Sequence, residues 1–117
     1  MESIALIERL VGFETVSRDS NLPLIEFVES YLDDHGVASR RVPSHDGHKS
    51  NLIATVGPEE EGGVVLSGHT DVVPIDGQDW SSDPFVIRRD ARRLYGRGTC
   101  DMKGFIAVAL ALVPQMT

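Results

Sequence analysis

A histidine and a carboxylate two residues apart carry the first hint of chemistry in this chain. In Leu66-Ser-Gly-His69-Thr-Asp71 they follow a short apolar run that has the composition of a strand. Backbone that stays extended puts residues 69 and 71 on one side. An aspartate so placed accepts the Nδ1 proton of the histidine, fixes its tautomer and makes Nε2 a better donor to a cation. The same spacing also suits a histidine that merely closes a strand and an aspartate that opens a turn before Pro74, because short motifs recur by accident. The second candidate is Tyr95-Gly-Arg-Gly-Thr-Cys-Asp101-Met-Lys-Gly104. Glycines at 96, 98 and 104 let backbone approach closely, and Asp101 stands at the predicted start of a helix, where an ordinary N-cap is the plainer reading. It is no phosphate loop, since the GxxxxGK pattern is absent. It is no dinucleotide fingerprint either, since Asp101 stands where GxGxxG needs its third glycine.

Positioning these residues takes helices and a sheet. Ile4, Ile7, Leu10 and Val11 recur at the helical period with Glu8 and Arg9 opposite, which predicts a first helix. Ser20 or Asn21 as cap, Pro23 in the first turn, a stripe of Leu24, Ile25, Val28, Tyr31 and Leu32, and Gly36 as terminator predict a second. Asp33 and Asp34 oppose its dipole by about 0.3–1 kcal/mol each, which predicts a frayed end. Val37 to Val42 and Asn51 to Val56 read as neighbouring strands across a polar loop, and a Gly-Pro-bounded turn follows. Val64-Val65-Leu66, short and β-branched, predicts a central strand covered on both faces. After a long polar loop from Thr70 to Pro84, Phe85 to Arg89 and Arg92 to Tyr95 flank Asp90-Ala91 as a hairpin. A last helix follows Gly104. This order predicts an α/β fold, a helix-covered sheet.

Taken together, the two segments resemble the dinuclear zinc amidohydrolases, a family that includes acetylornithine deacetylase, succinyl-diaminopimelate desuccinylase, aminoacylase and carboxypeptidase G. The likeness lies in Ser67-Gly-His69-Thr-Asp71-Val-Val-Pro74 and Gly96-Arg-Gly-Thr-Cys-Asp101-Met-Lys-Gly104, in that order and spacing. Trp80-Ser-Ser-Asp-Pro84-Phe85 and Leu94-Tyr95-Gly96 between them agree, as does Asn51-Leu-Ile-Ala upstream. The resemblance implies a zinc-peptidase-like catalytic domain holding two zinc ions, with cobalt as an alternative. It implies that His69 ligates one ion, that Asp101 bridges both, and that Asp71 is the catalytic residue that orients His69. A cis peptide at Asp101–Met102 is implied as well. The activity implied is hydrolysis of the amide of a small-molecule N-acyl amino acid. Residues 76–85 and 98–105 look most like the acetylornithine deacetylases, which implies N2-acetylornithine as substrate, in arginine synthesis. The desuccinylase and a general aminoacylase or carboxypeptidase are the alternatives within the family.

That family pattern also requires a Glu-Glu pair, a further carboxylate and a distant histidine after the bridging aspartate. Here the last Glu is Glu61 and the last His is His69. Residues 1–117 therefore read as the N-terminal, incomplete part of the catalytic domain, without the lid domain through which the full-length protein would form a homodimer. The expectation for this stretch alone is weak zinc binding, because two ligands fall short of the three or four that zinc sites use. A non-catalytic binding domain or an inactive remnant is the competing reading.

Composition narrows the classes further. The 117 residues carry 11 Lys+Arg against 18 Asp+Glu, a net charge of −7, which disfavours a nucleic-acid partner. The longest apolar run, Phe105 to Val113, falls far short of the roughly 20 residues of a membrane span. Glu2 and Glu8 stand where a signal peptide carries positive charge, and a lone Cys100 forms no internal bridge, so the expectation is a cytoplasmic protein. His45 and His48 sit in a loop with nothing to fix their spacing. Cys100 as a nucleophile is opposed by the neighbouring Asp101, which raises a thiol pKa. Glu59 to Glu61 read as a solvated turn, Arg88, Arg89, Arg92, Arg93 and Arg97 as a solvated face, and Trp80 as a pin for its loop.

Overall fold

The computed structural model describes residues 1–117 as three helices and two hairpins. The first helix, α1, spans Ser3–Val11 and buries Leu6, Leu10 and Val11. The predicted stripe is thus rotated, since Ile4 remains 42% exposed while Leu6 is fully covered. Helix α2, Leu22–Asp34, buries the whole predicted stripe of Leu24, Ile25, Val28, Tyr31 and Leu32. Its end, where fraying was expected, is closed by hydrogen bonds. The Gly36 N–H bonds the Asp33 carbonyl at 2.9 Å and the Val37 N–H bonds the Leu32 carbonyl at 2.9 Å, with Gly36 at φ +73°. That is a Schellman closure. With Val37 buried beside Leu32 in the core, it outweighs the small dipole penalty of Asp33 and Asp34.

Helix α3, Lys103–Met116, packs on α1 through Ala107, Leu110 and Val113. Pro114 has no N–H to give the carbonyl of Leu110, four residues earlier. The Tyr31 hydroxyl donates to that carbonyl at 2.9 Å, so the helix's missing donor is supplied from α2. The core is accordingly a three-helix contact among Leu6, Leu10, Leu24, Tyr31, Ala107 and Leu110, with the Phe13 and Phe27 rings 5.8 Å apart at its margin.

Strands β1, Ser39–Pro43, and β2, Ser50–Ala54, pair antiparallel, with Arg41 opposite Leu52. Strands β3, Arg88–Asp90, and β4, Arg93–Tyr95, form the predicted hairpin, with Ala91 at φ +50° in its turn. The α/β class holds, as helices with small antiparallel sheets. The central strand does not. Residues 64–66 pair with nothing, and Val64, Val65 and Leu66 are 85%, 90% and 55% exposed. An apolar β-branched run fixes only a preference for extended backbone. Both hairpins satisfy their inner edges locally, and neither lies beside this segment. No helix is long and apolar enough to cross a membrane.

Candidate metal centre

Two loops distant in sequence meet at one point. His69 Nε2 lies 2.9 Å from Asp101 Oδ1, while Nδ1 lies 3.1 Å from Asp71 Oδ1 and 3.0 Å from the Asp71 carbonyl. Asp71 therefore stands behind the ring and Asp101 in front of it. This is the arrangement in which one carboxylate holds the ring proton and turns the other nitrogen outward. The face is open, with the His69 side chain 49% and that of Asp101 78% exposed.

Charge follows from these contacts. Partial burial pulls the His69 pKa down, but hydrogen bonds to the Asp71 carbonyl and to Asp101, with the two carboxylate charges, hold it above its usual value. Asp71 is held below the usual carboxylate range first by the Ser17 hydroxyl, against some desolvation, with help from the charges of His69 and Lys49.

The Asp101 side is built by the start of α3. Asp101 is not the N-cap; Met102 takes that position, with no side-chain cap bond, which frees the Asp101 carboxylate for His69. The Asp101–Met102 peptide is cis, as the resemblance implied. The Met102 sulfur accepts the His69 N–H at 3.3 Å, tying the two loops together. Glycine is required around them for lack of space. A Cβ on Gly104 would stand 2.2 Å from the Thr99 carbonyl oxygen, and one on Gly98, at φ +92°, 2.8 Å from Val72. Lys103 is fully buried, donates to the Phe13 carbonyl at 2.6 Å, and has its pKa lowered to about 8 by desolvation.

The His69 side is braced by the segment after α1. Val16 forms a parallel bridge with Val72, and the Ser17 and Val72 N–H groups bond the carbonyls of Val72 and Thr15 at 3.1 and 3.0 Å. Thr15 Oγ1 donates to the Thr70 carbonyl at 2.6 Å, and Ser17 Oγ donates to Asp71 Oδ2 at 2.5 Å. Asn21, at the N-cap position of α2, makes no cap bond. Its amide instead donates to the Ser50 carbonyl and to Thr70 Oγ1, both at 2.9 Å, and accepts the Ser50 N–H at 3.0 Å. These bracing residues belong to no chemical motif, and only the alternation of Thr15 and Ser17 on one side of an extended segment signals them.

His69, Asp71 and Asp101 are thus brought together. The donors fit a cation in kind, an imidazole nitrogen and a carboxylate on one side, yet no cluster of three or more His, Cys, Asp or Glu side chains converges on a single point. Asp71 lies on the far nitrogen and leaves two donors. His45 and His48 stay on an exposed loop, where Asp46 accepts the His48 N–H. Cys100 is exposed, and both nitrogens of His69 already face carboxylates. Arg89 pairs with Glu8, and Arg88 covers the Tyr95 ring. Trp80 pins its loop, its indole N–H donating to Gln78 at 2.9 Å beneath Arg97.

The acetylornithine deacetylase of Pasteurella multocida (strain Pm70) is 43% identical over 98 residues, which cover 83% of this chain and 25% of that protein. Its namesake in Yersinia pestis is 42% identical over 99 residues, 80% of this chain and 25% of that one. The protein of the same name in Edwardsiella ictaluri (strain 93-146) is 40% identical over 111 residues, 89% of this chain and 29% of that one. The chain spans between a quarter and a third of the length of these relatives. Residues 65–117, which hold His69, Asp71 and Asp101, match Peptidase family M20/M25/M40.

Proposed function

We propose that these residues are the N-terminal part of the catalytic domain of a metal-dependent amidohydrolase that acts on N-acyl amino acids, with N2-acetylornithine as its substrate. The observation that carries this reading is the meeting of His69 Nε2 and Asp101 Oδ1 at 2.9 Å from loops set by different elements. Similarity to acetylornithine deacetylases supports the choice of substrate. Divalent metal bound there would supply an activated water and polarise the scissile carbonyl. Zinc suits the nitrogen and oxygen donors, and cobalt is the alternative.

Within this reading His69, through Nε2, and Asp101, through its carboxylate, are the residues of this chain that would hold the metal. Asp71 keeps the proton on Nδ1, so the lone pair stays on the outward nitrogen. The general base, the remaining ligands and the groups that select the acyl and side chains come from outside residues 1–117, and the assembled enzyme is a cytoplasmic homodimer.

The test is an assay of the intact gene product on N2-acetylornithine and on N-succinyl-diaminopimelate, before and after chelation. The expected result is deacetylation that chelator abolishes and zinc restores. Faster turnover of the succinyl substrate would reassign the specificity, and amide hydrolysis indifferent to chelation would overturn the metal mechanism.

A further inference from the structure

Ser17 reaches the centre from a part of the chain that carries no motif. Its hydroxyl donates to Asp71 Oδ2 at 2.5 Å, while the other carboxylate oxygen faces His69 Nδ1 at 3.1 Å. The hydroxyl has one proton and two acceptors in reach. The Val72 carbonyl is the more distant, at 3.3 Å, so the carboxylate takes it. Residue 17 is itself fixed by backbone: its N–H bonds the Val72 carbonyl at 3.1 Å, and Lys49 Nζ donates to its carbonyl. An aspartate whose second oxygen is unheld swings about χ2, and the proton on Nδ1 swings with it.

We infer that Ser17 is a positioning residue for the metal centre: by clamping Oδ2 of Asp71 it presents Oδ1 to His69 Nδ1 and thereby aims Nε2 at the cation. This rests on the metal-centre reading above. Three links form a chain, hydroxyl to carboxylate, carboxylate to imidazole, imidazole to cation, and only the last touches the ion. Thr15, on the same extended segment, secures the neighbouring peptide through the Thr70 carbonyl, so the brace acts on the loop backbone and on the Asp71 side chain separately.

The test uses the intact gene product as wild type, Ser17→Ala, Ser17→Thr, Asp71→Ala and the Ser17→Ala/Asp71→Ala double variant. Two readouts are taken: zinc affinity by competition with a chromophoric chelator, and the 15N signals of the His69 ring in the zinc-loaded protein. Ser17→Ala is expected to weaken zinc by about tenfold, the lower end of what loss of an outer-shell partner does. Its Nδ1 proton signal is expected to broaden through exchange. Ser17→Thr, which keeps the hydroxyl, restores both. In the Asp71→Ala background Ser17→Ala has no further effect, because the serine acts through the aspartate. Unchanged affinity and ring signals in Ser17→Ala would overturn the inference, as would equal weakening with and without Asp71. Wild-type protein that binds no zinc would instead overturn the metal-centre reading, with Ser17 then decided by whether Ser17→Ala alters the ring signals of the metal-free protein.

Discussion

Tyr31 and Pro114 provide a test of how the helices are joined. Tyr31 is 6% and Leu110 7% exposed, and the phenol donates at 2.9 Å to a carbonyl that Pro114 leaves without a helical partner. Tyr31→Phe keeps the ring and removes that donor, so a buried carbonyl loses its bond. The loss is about 1.5 kcal/mol, within the range for an unsatisfied buried acceptor. Pro114→Ala supplies a backbone N–H four residues after Leu110, which closes the helical bond from within. In that background Tyr31→Phe is expected to cost less than about 0.5 kcal/mol, giving a coupling of about 1 kcal/mol between two residues on different helices. Urea denaturation followed by far-UV circular dichroism on the four variants measures it. Equal losses from Tyr31→Phe with and without Pro114 would refute the argument.

Two further outcomes follow from buried polar groups. Asn21→Ala strips the Ser50 N–H and carbonyl of their partners, and denaturation should register a loss of about 2–4 kcal/mol; a change within about 0.5 kcal/mol would contradict the bridge. Lys103 has its pKa lowered from 10.5 to about 8 in the folded chain. Between those values the unfolded chain holds a proton that the native one releases, so stability rises with pH across the window and its share is lost as pH falls through about 8. The slope is at most about 1.4 kcal/mol per pH unit. Lys103→Met should flatten it between about pH 8 and 9.5 in melts of the two proteins. Parallel profiles would show that the lysine keeps its charge inside.

Elements whose partners lie close in sequence were legible. The stripe of α2, its Gly36 stop and the hairpin around Asp90-Ala91 follow from period and turn chemistry. The meeting of His69 with Asp101 was legible only through the resemblance, because neither short motif outweighs an ordinary cap or turn. Long-range choices were not legible. Asn21 reads as a cap, yet its amide has stronger calls on it from Ser50 and Thr70, which no local rule anticipates. Leu6 replaced Ile4 in the core because the position of α3 decides which side of α1 is covered. Residues 64–66 show the limit most clearly, since a strand exists only where another strand lies beside it.

That unclaimed ribbon has a consequence for handling the chain. A row of main-chain donors and acceptors flanked by bare aliphatic groups is a ready template for a second molecule, and glycines at 62 and 63 add no bulk to block approach. The nearest guard is the acidic run at Glu59, Glu60 and Glu61, which would stack like upon like in any in-register parallel assembly. Repulsion of that kind fades as salt shortens the Debye length from about 10 Å at 0.1 M to about 3 Å at 1 M. Lateral association should therefore grow with ionic strength, and a lysine placed at Val65 should suppress it.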